Sequence, residues 1–121
     1  MTIGKLERDG LIAGDYPLKA VSIVVHGATG TAVTEFKRGD VIALDTNGVP
    51  VLVDSAVAGA EKPVGIITDN IAVAAGETQT TTMYIKGEFN RRFLRFGGND
   101  TVDNHLRHMN EIGLIVRETR I

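Results

Sequence analysis

A chain of 121 residues with 13 basic and 15 acidic side chains carries a net charge of -2. That is the length of one ordinary domain, large enough for a single core, and the charge offers no excess that would favour a polyanion. With no cysteine, disulfides, zinc–thiolate sites and thiol catalysis are excluded.

The charge is only mildly uneven: residues 1–85 hold 6 basic and 10 acidic groups, residues 86–121 hold 7 and 5, too little asymmetry to point to DNA. No apolar run approaches the roughly 20 residues of a membrane span. The opening MTIGKLERDG sets Lys5, Glu7, Arg8 and Asp9 where a signal peptide needs an apolar stretch. The expectation is a soluble chain without an export signal.

Residues 1–10 contain apolar Ile3 and Leu6 without a sustained period, interrupted by Gly4 and Gly10. They read as an arm, poorly ordered in isolation as termini commonly are. Leu11 to Pro17 reads as a short extended piece, with Pro17 biasing Tyr16 toward β or polyproline geometry. Residues 1–18 together are expected to form a flexible N-terminal arm, and residues 19–121 a single β-rich domain.

From Lys19 the signal is β. Ala20 to Val25 is rich in β-branched residues and too short for a core helix. Val41 to Leu44 and Val49 to Val53 are two further runs joined by Asp45-Thr46-Asn47-Gly48, and Asn-Gly predicts a type I′ hairpin turn. Pro50 suggests an edge position for the second run. Asp54 to Lys62 reads as a loop, followed by strands near 64–67 and 79–86 around the polar turn at Asp69-Asn70. Asn90 is expected to cap a helical turn with Phe89, Phe93 and Phe96 on one face, ended by Gly97-Gly98. A helix beginning at Asp100 or Thr101 then places Val102, Leu106 and Met109 on one apolar stripe. Gly113 stops it, and Leu114 to Val116 returns as a last strand. The fold class is mainly β, a small barrel-like or sandwich domain with one short C-terminal helix and an extended N-terminal arm.

Four motifs invite a chemical reading. Gly27-Ala28-Thr29-Gly30 follows a β run as a dinucleotide loop would, but the third glycine and the following helix are missing, so a plain glycine turn is expected. His105 and His108 stand i, i+3 on the helix, a spacing that can serve a metal. No third ligand of obvious spacing accompanies them, and solvent-facing histidines are expected. Arg38-Gly39-Asp40 matches an adhesion tripeptide and is equally ordinary turn chemistry before a strand. Arg91, Arg92 and Arg95 interleave with the phenylalanines as in single-strand nucleic-acid surfaces, though a core-facing aromatic stripe beneath a solvated cationic face explains the same spacing. No Ser/His/Asp or paired-carboxylate arrangement stands out. No enzyme, cofactor, metal, nucleic-acid or small-molecule partner is expected.

Several segments, in order, resemble the head decoration proteins of tailed bacteriophages, the cement proteins of the capsid exterior. They are Ala13-Gly14-Asp15-Tyr16-Pro17-Leu18, Lys37-Arg38-Gly39-Asp40-Val41-Ile42, Pro63-Val64-Gly65-Ile66-Ile67, Asp69-Asn70, Ala74-Ala75-Gly76-Glu77, Gly87-Glu88-Phe89-Asn90 and Leu106 to Ile115. The resemblance implies a homotrimer at three-fold and quasi-three-fold sites of the expanded head, bracing it against the pressure of packaged DNA. It further implies a location on the outer capsid surface, with assembly in the host cytoplasm, and an arm that orders by adding a strand to the major capsid protein. The capsid-binding arm is then expected to use Ile3, Leu6, Leu11, Ile12, Tyr16 and Pro17, apolar groups with too few partners on their own domain. A second expectation is a virion-displayed module that contacts host surfaces through Arg38-Gly39-Asp40 or another loop.

Overall fold

The computed structural model describes residues 11–13, 17–27 and 33–117. Among the described residues, eight strands, one 3-10 turn and one helix follow in chain order: β1 (Lys19–His26), β2 (Thr34–Phe36), β3 (Val41–Leu44), β4 (Pro50–Leu52), β5 (Gly65–Ile67), β6 (Ile71–Val73), β7 (Thr78–Asn90), the 3-10 turn Arg91–Phe93, α1 (Val102–Glu111) and β8 (Leu114–Arg117). The domain is mainly β with its one α-helix near the C-terminus. Six strands form one sheet in the order β1-β7-β5-β3-β4, with β8 paired to β7, and β2 and β6 form a separate ribbon. The sheet begins and ends in different strands, so it is sandwich-like and not a closed barrel. Among the described residues no helix is long and apolar enough to cross a membrane.

The alternation of side chains along the strands builds two cores, one on each face of this sheet. In β3, Val41 and Ala43 enter one core while Ile42 enters the other; Ile66 and Ile67 of β5 divide the same way. The first core lies under Val102 and Met109 of α1 and also holds Leu11, Phe89 and Leu114. The second lies under the ribbon, where Phe36 and Val73 meet Val25, Ile67 and Met83. Strands buried on both faces read as continuous apolar runs, which is why VIAL and VGII carry no polar alternation.

β7 is the spine. Its first part pairs antiparallel with β1, from Thr78↔His26 to Tyr84↔Ala20, and also with β5. From Gly87 onward it pairs parallel with β8, a register that demands a crossover, supplied here by the 3-10 turn and α1. The sequence signal near 79–86 covers only the first part; the strand continues through Phe89 and Asn90, where a helical turn is expected. Gly87 has φ +153°, and a Cβ there would stand 2.6 Å from Leu18 Cδ1 and 2.8 Å from the Phe89 ring, so glycine is required where the strand changes partners.

Three further expectations are corrected. The β3–β4 hairpin is not type I′: Gly48 N–H bonds to Asp45 O and Asp45 N–H to Val49 O, and among the described residues no non-glycine has positive φ. That is the pattern of a three-residue loop whose last residue is left-handed, and Asp45 Oδ1 holds it by accepting from Asn47 N–H at 2.8 Å. Pro50 does lie on the edge strand. The phenylalanines share no face, for Phe89 is fully buried in β7 while Phe93 is exposed; Asn90 caps the 3-10 turn as expected, accepting from Arg92 N–H. In α1 the buried residues are Val102, His105 and Met109, and Leu106 is only half-buried, so a histidine occupies the stripe assigned to leucine.

Candidate partner-binding surfaces

Of the six residues expected in the arm, Ile3, Leu6 and Tyr16 lie outside the described residues, and Pro17 is exposed. Leu11 and Ile12 require a correction: they have partners on their own domain. Ile12 bridges Phe89 antiparallel, Ala13 N–H donates to Glu88 O at 2.8 Å and Asn90 N–H to Leu11 O at 2.9 Å. Because β8 pairs with the same residues of β7, residues 11–13 act as a short strand on the opposite edge. Leu11 is 1% exposed in the first core. The physical reason is that Phe89 needs cover on that edge, and an extended piece with a leucine supplies both the backbone bonds and the side chain. Sequence spacing alone could not show which strand edge awaited it.

The Arg38-Gly39-Asp40 turn joins this junction from the other side. Gly39 has φ +99°, its N–H donates to Ile67 O at 3.0 Å, and a Cβ would meet Phe93 O at 2.3 Å and Leu11 Cδ1 at 3.8 Å. Arg38 turns inward over the Tyr84 ring, donating from Nη1 to Thr68 O at 2.8 Å and to Tyr84 Oη at 3.2 Å. Its backbone N–H donates to Asn70 Oδ1 at 2.8 Å. Asp40 is 2% exposed. Its Oδ2 accepts from Lys37 N–H at 2.9 Å, and Oδ1 lies 2.8 Å from Arg95 Nε, close enough for an ion pair though not aligned as a hydrogen bond. Burial pushes the Asp40 carboxyl above the usual carboxylate range, against the opposing pull of Lys37 and Arg95. A buried aspartate and an inward arginine leave this tripeptide no loop tip to offer an adhesion receptor.

Sequence reading missed a second cluster. His105 is 6% exposed, stacked on Phe96 with ring centroids 5.4 Å apart, and its Nε2 lies 2.6 Å from Asp100 Oδ2. Ser55 Oγ donates to that same oxygen at 2.7 Å and Ser55 N–H donates to it at 2.8 Å. Ser55 lies far from the other two in sequence, so only the fold unites them. A Ser, a His and an Asp thus meet, but their arrangement is not that of a nucleophile. Nε2 must donate its proton to the carboxylate, so it is not the acceptor that would activate Ser55, whose own proton is also committed to Asp100. The cluster fastens the 54–60 loop to the start of α1. The His105 contact, then Ser55, holds the Asp100 carboxyl below its ordinary range.

His108 is half-buried, with Nε2 3.1 Å from Pro63 O. The expectation of solvent-facing histidines is corrected: His105 is buried and His108 half-buried, because the loops at 55 and 63 fold over that side. No group of three or more His, Asp or Glu among the described residues is placed to hold a metal ion. Arg91 pairs with Asp103 at 2.9 Å and Arg117 with Glu88 at 2.8 Å. Two of the three arginines expected on a cationic face, Arg91 and Arg95, are therefore engaged within the domain. Gly27 approaches Ala74 so closely that a Cβ would meet its carbonyl oxygen; the remainder of Gly27 to Gly30 lies outside the described residues. No protein-family model matches the chain, and no curated protein matches it.

Proposed function

We propose that this chain is a capsid decoration protein of a tailed bacteriophage, a non-catalytic homotrimer that binds the outer surface of the expanded head and braces it. The observation that carries the proposal is where the family-like segments fall. Ala13 and Gly87–Asn90 are joined by Ala13 N–H to Glu88 O, Lys37–Ile42 and Pro63–Ile67 by Gly39 N–H to Ile67 O and Val64 N–H to Ile42 O, and Asp69-Asn70 meets Arg38 N–H through Asn70 Oδ1. These contacts make neighbours in the fold of segments that lie apart in the sequence. The Ser55–Asp100–His105 cluster favours the non-catalytic reading, since its protons are spent on holding a loop.

Residues 1–10, with Ile3 and Leu6, are the segment proposed to add a strand to the major capsid protein. Leu11 and Ile12 anchor it on the body. Strand addition satisfies backbone groups and buries alternate side chains together. Ordering about ten residues opposes this by about 1–2 kcal/mol each, so a single arm binds weakly and three arms linked in a trimer bind tightly through effective concentration. The test is co-sedimentation of the full chain with shells of the major capsid protein from the same genome, before and after expansion. Binding to expanded shells alone is the expected result. Failure to bind either form, with folded protein, overturns the proposal.

A further inference from the structure

β4 ends the main sheet and β2 belongs to the separate ribbon, so no strand pairing joins the two. A cleft of about 370 Å³ lies between them, with Phe36 of β2 and Pro50 and Leu52 of β4 among its apolar walls. Four residues with titratable or charged side chains share the lining: His26, Glu35, Asp40 and Arg95. Ligand pockets run from roughly 300 to 1,000 Å³ and combine apolar walls with a few placed polar groups. This cleft has both.

Its polar groups are incompletely paired. Asp40 is 2% exposed and its Oδ2 caps Lys37 N–H. An asparagine oxygen accepts such a bond equally well, so the turn alone does not call for a charge. The charge faces Arg95, whose Nε lies 2.8 Å from Oδ1 without an aligned hydrogen bond, which leaves Oδ1 a buried acceptor lacking one. Buried oxygens in that condition are rare and need a reason. The Arg95 side chain is 52% exposed, and neither of its Nη atoms has a hydrogen-bond partner among the described residues. Glu35, the second acid of the lining, lies 3.6 Å from Lys37 Nζ, which offsets its charge.

We propose that this cleft binds a carboxylate carried on an aliphatic stem: Arg95 holds the carboxylate, Asp40 positions Arg95, and Phe36, Pro50 and Leu52 receive the stem. With Nε turned to Asp40, the two Nη atoms are left for the two oxygens of a carboxylate, the planar match that arginine makes and lysine does not. Engaging both Nη atoms fixes the guanidinium plane. A fixed plane lets Nε–H align on Asp40 Oδ1, so binding closes the bond that the free protein leaves open. A cationic ligand meets repulsion from Arg95, and a neutral one dries the cleft while leaving the Nη donors unpaired. A free aliphatic acid and a glutamate side chain with aliphatic neighbours share the required chemistry. The proposal stands apart from the capsid reading, whose failure would leave it untouched.

The test titrates the isotope-labelled full chain with octanoate and, separately, with acetyl-Val-Glu-Val-amide, followed by nuclear magnetic resonance. Saturable shifts of the Arg95 Nε–H signal and of the Phe36 and Leu52 amides are expected with at least one probe. Octanoate alone identifies a free acid as the ligand, the peptide alone a glutamate side chain, and both support the shared chemistry. Octanol and acetyl-Val-Gln-Val-amide, uncharged on the same stems, should bind about tenfold or more weakly, as loss of a charged hydrogen bond dictates. Arg95→Gln should weaken binding to the same degree. Asp40→Asn keeps the cap on Lys37, so it should weaken binding without lowering the urea midpoint. If that variant does not fold, Arg95→Lys replaces it, keeping the charge at a half-exposed position and losing the planar match. No shift with either probe, shifts confined to other residues, or equal binding of the uncharged analogues overturns the proposal. Unchanged affinity in Arg95→Gln does the same, and unchanged affinity in Asp40→Asn removes Asp40 from it.

Discussion

Gly39 carries two constraints at once, a left-handed φ of +99° and a carbonyl 2.3 Å from where a Cβ would stand. Gly39→Ala is expected to destabilise the domain by about 2 kcal/mol or more, read as a fall in the urea midpoint. Arg38 beside it should be far more tolerant of loss in any adhesion assay than in a stability assay, because its contacts are internal. Two aspartates should respond to acid with opposite signs. Asp100 has its folded pKa lowered, chiefly by His105, so its contribution is present above the unfolded value of 3.8 and lost as pH falls through the folded value. Asp40 has its folded pKa raised by burial, so its contribution is full below 3.8 and fades as pH rises through the folded value. Urea midpoints across acid pH should therefore lose the wild-type decline below about pH 4 in Asp100→Asn. An unchanged profile would deny Asp100 this role.

At the level of elements, residues 11–13 belong to the body and not to an arm that runs to Leu18. Removing residues 1–10 should leave the melting temperature nearly unchanged, whereas removing 1–13 should lower it sharply by taking away Leu11 and the two backbone bonds to β7. Leu11→Ala alone should cost about 2–5 kcal/mol, as buried leucines do. Equal stability of the two truncations would contradict this boundary. The strands at 20–25, 41–44, 64–67 and 114–116 were legible because apolar and β-branched runs ended at turn residues. β6 was not, since Ile71-Ala72-Val73 is short and sits among small residues. The second half of β7 hid behind Gly87. The buried His105 was unreadable because what buries it, Ser55 and Phe96, comes from elsewhere in the chain. A 3.6-residue period can report a stripe but not which polar residue the fold will satisfy inside it.

The described residues form a six-stranded sheet with a core on each face, one under α1 and one under the separate β2–β6 ribbon. We propose that residues 1–10 attach the domain to the shell while the body carries the contacts between copies. Their independence is itself testable, because the chain without residues 1–10 should still assemble while losing attachment to shells. The most direct measurement is electron cryomicroscopy of expanded shells mixed with the full chain. The account predicts trimeric density at three-fold and quasi-three-fold positions, each subunit joined to the capsid protein by a strand running from Leu11. Bare shells, or density elsewhere with residues 1–10 making no contact, would contradict it.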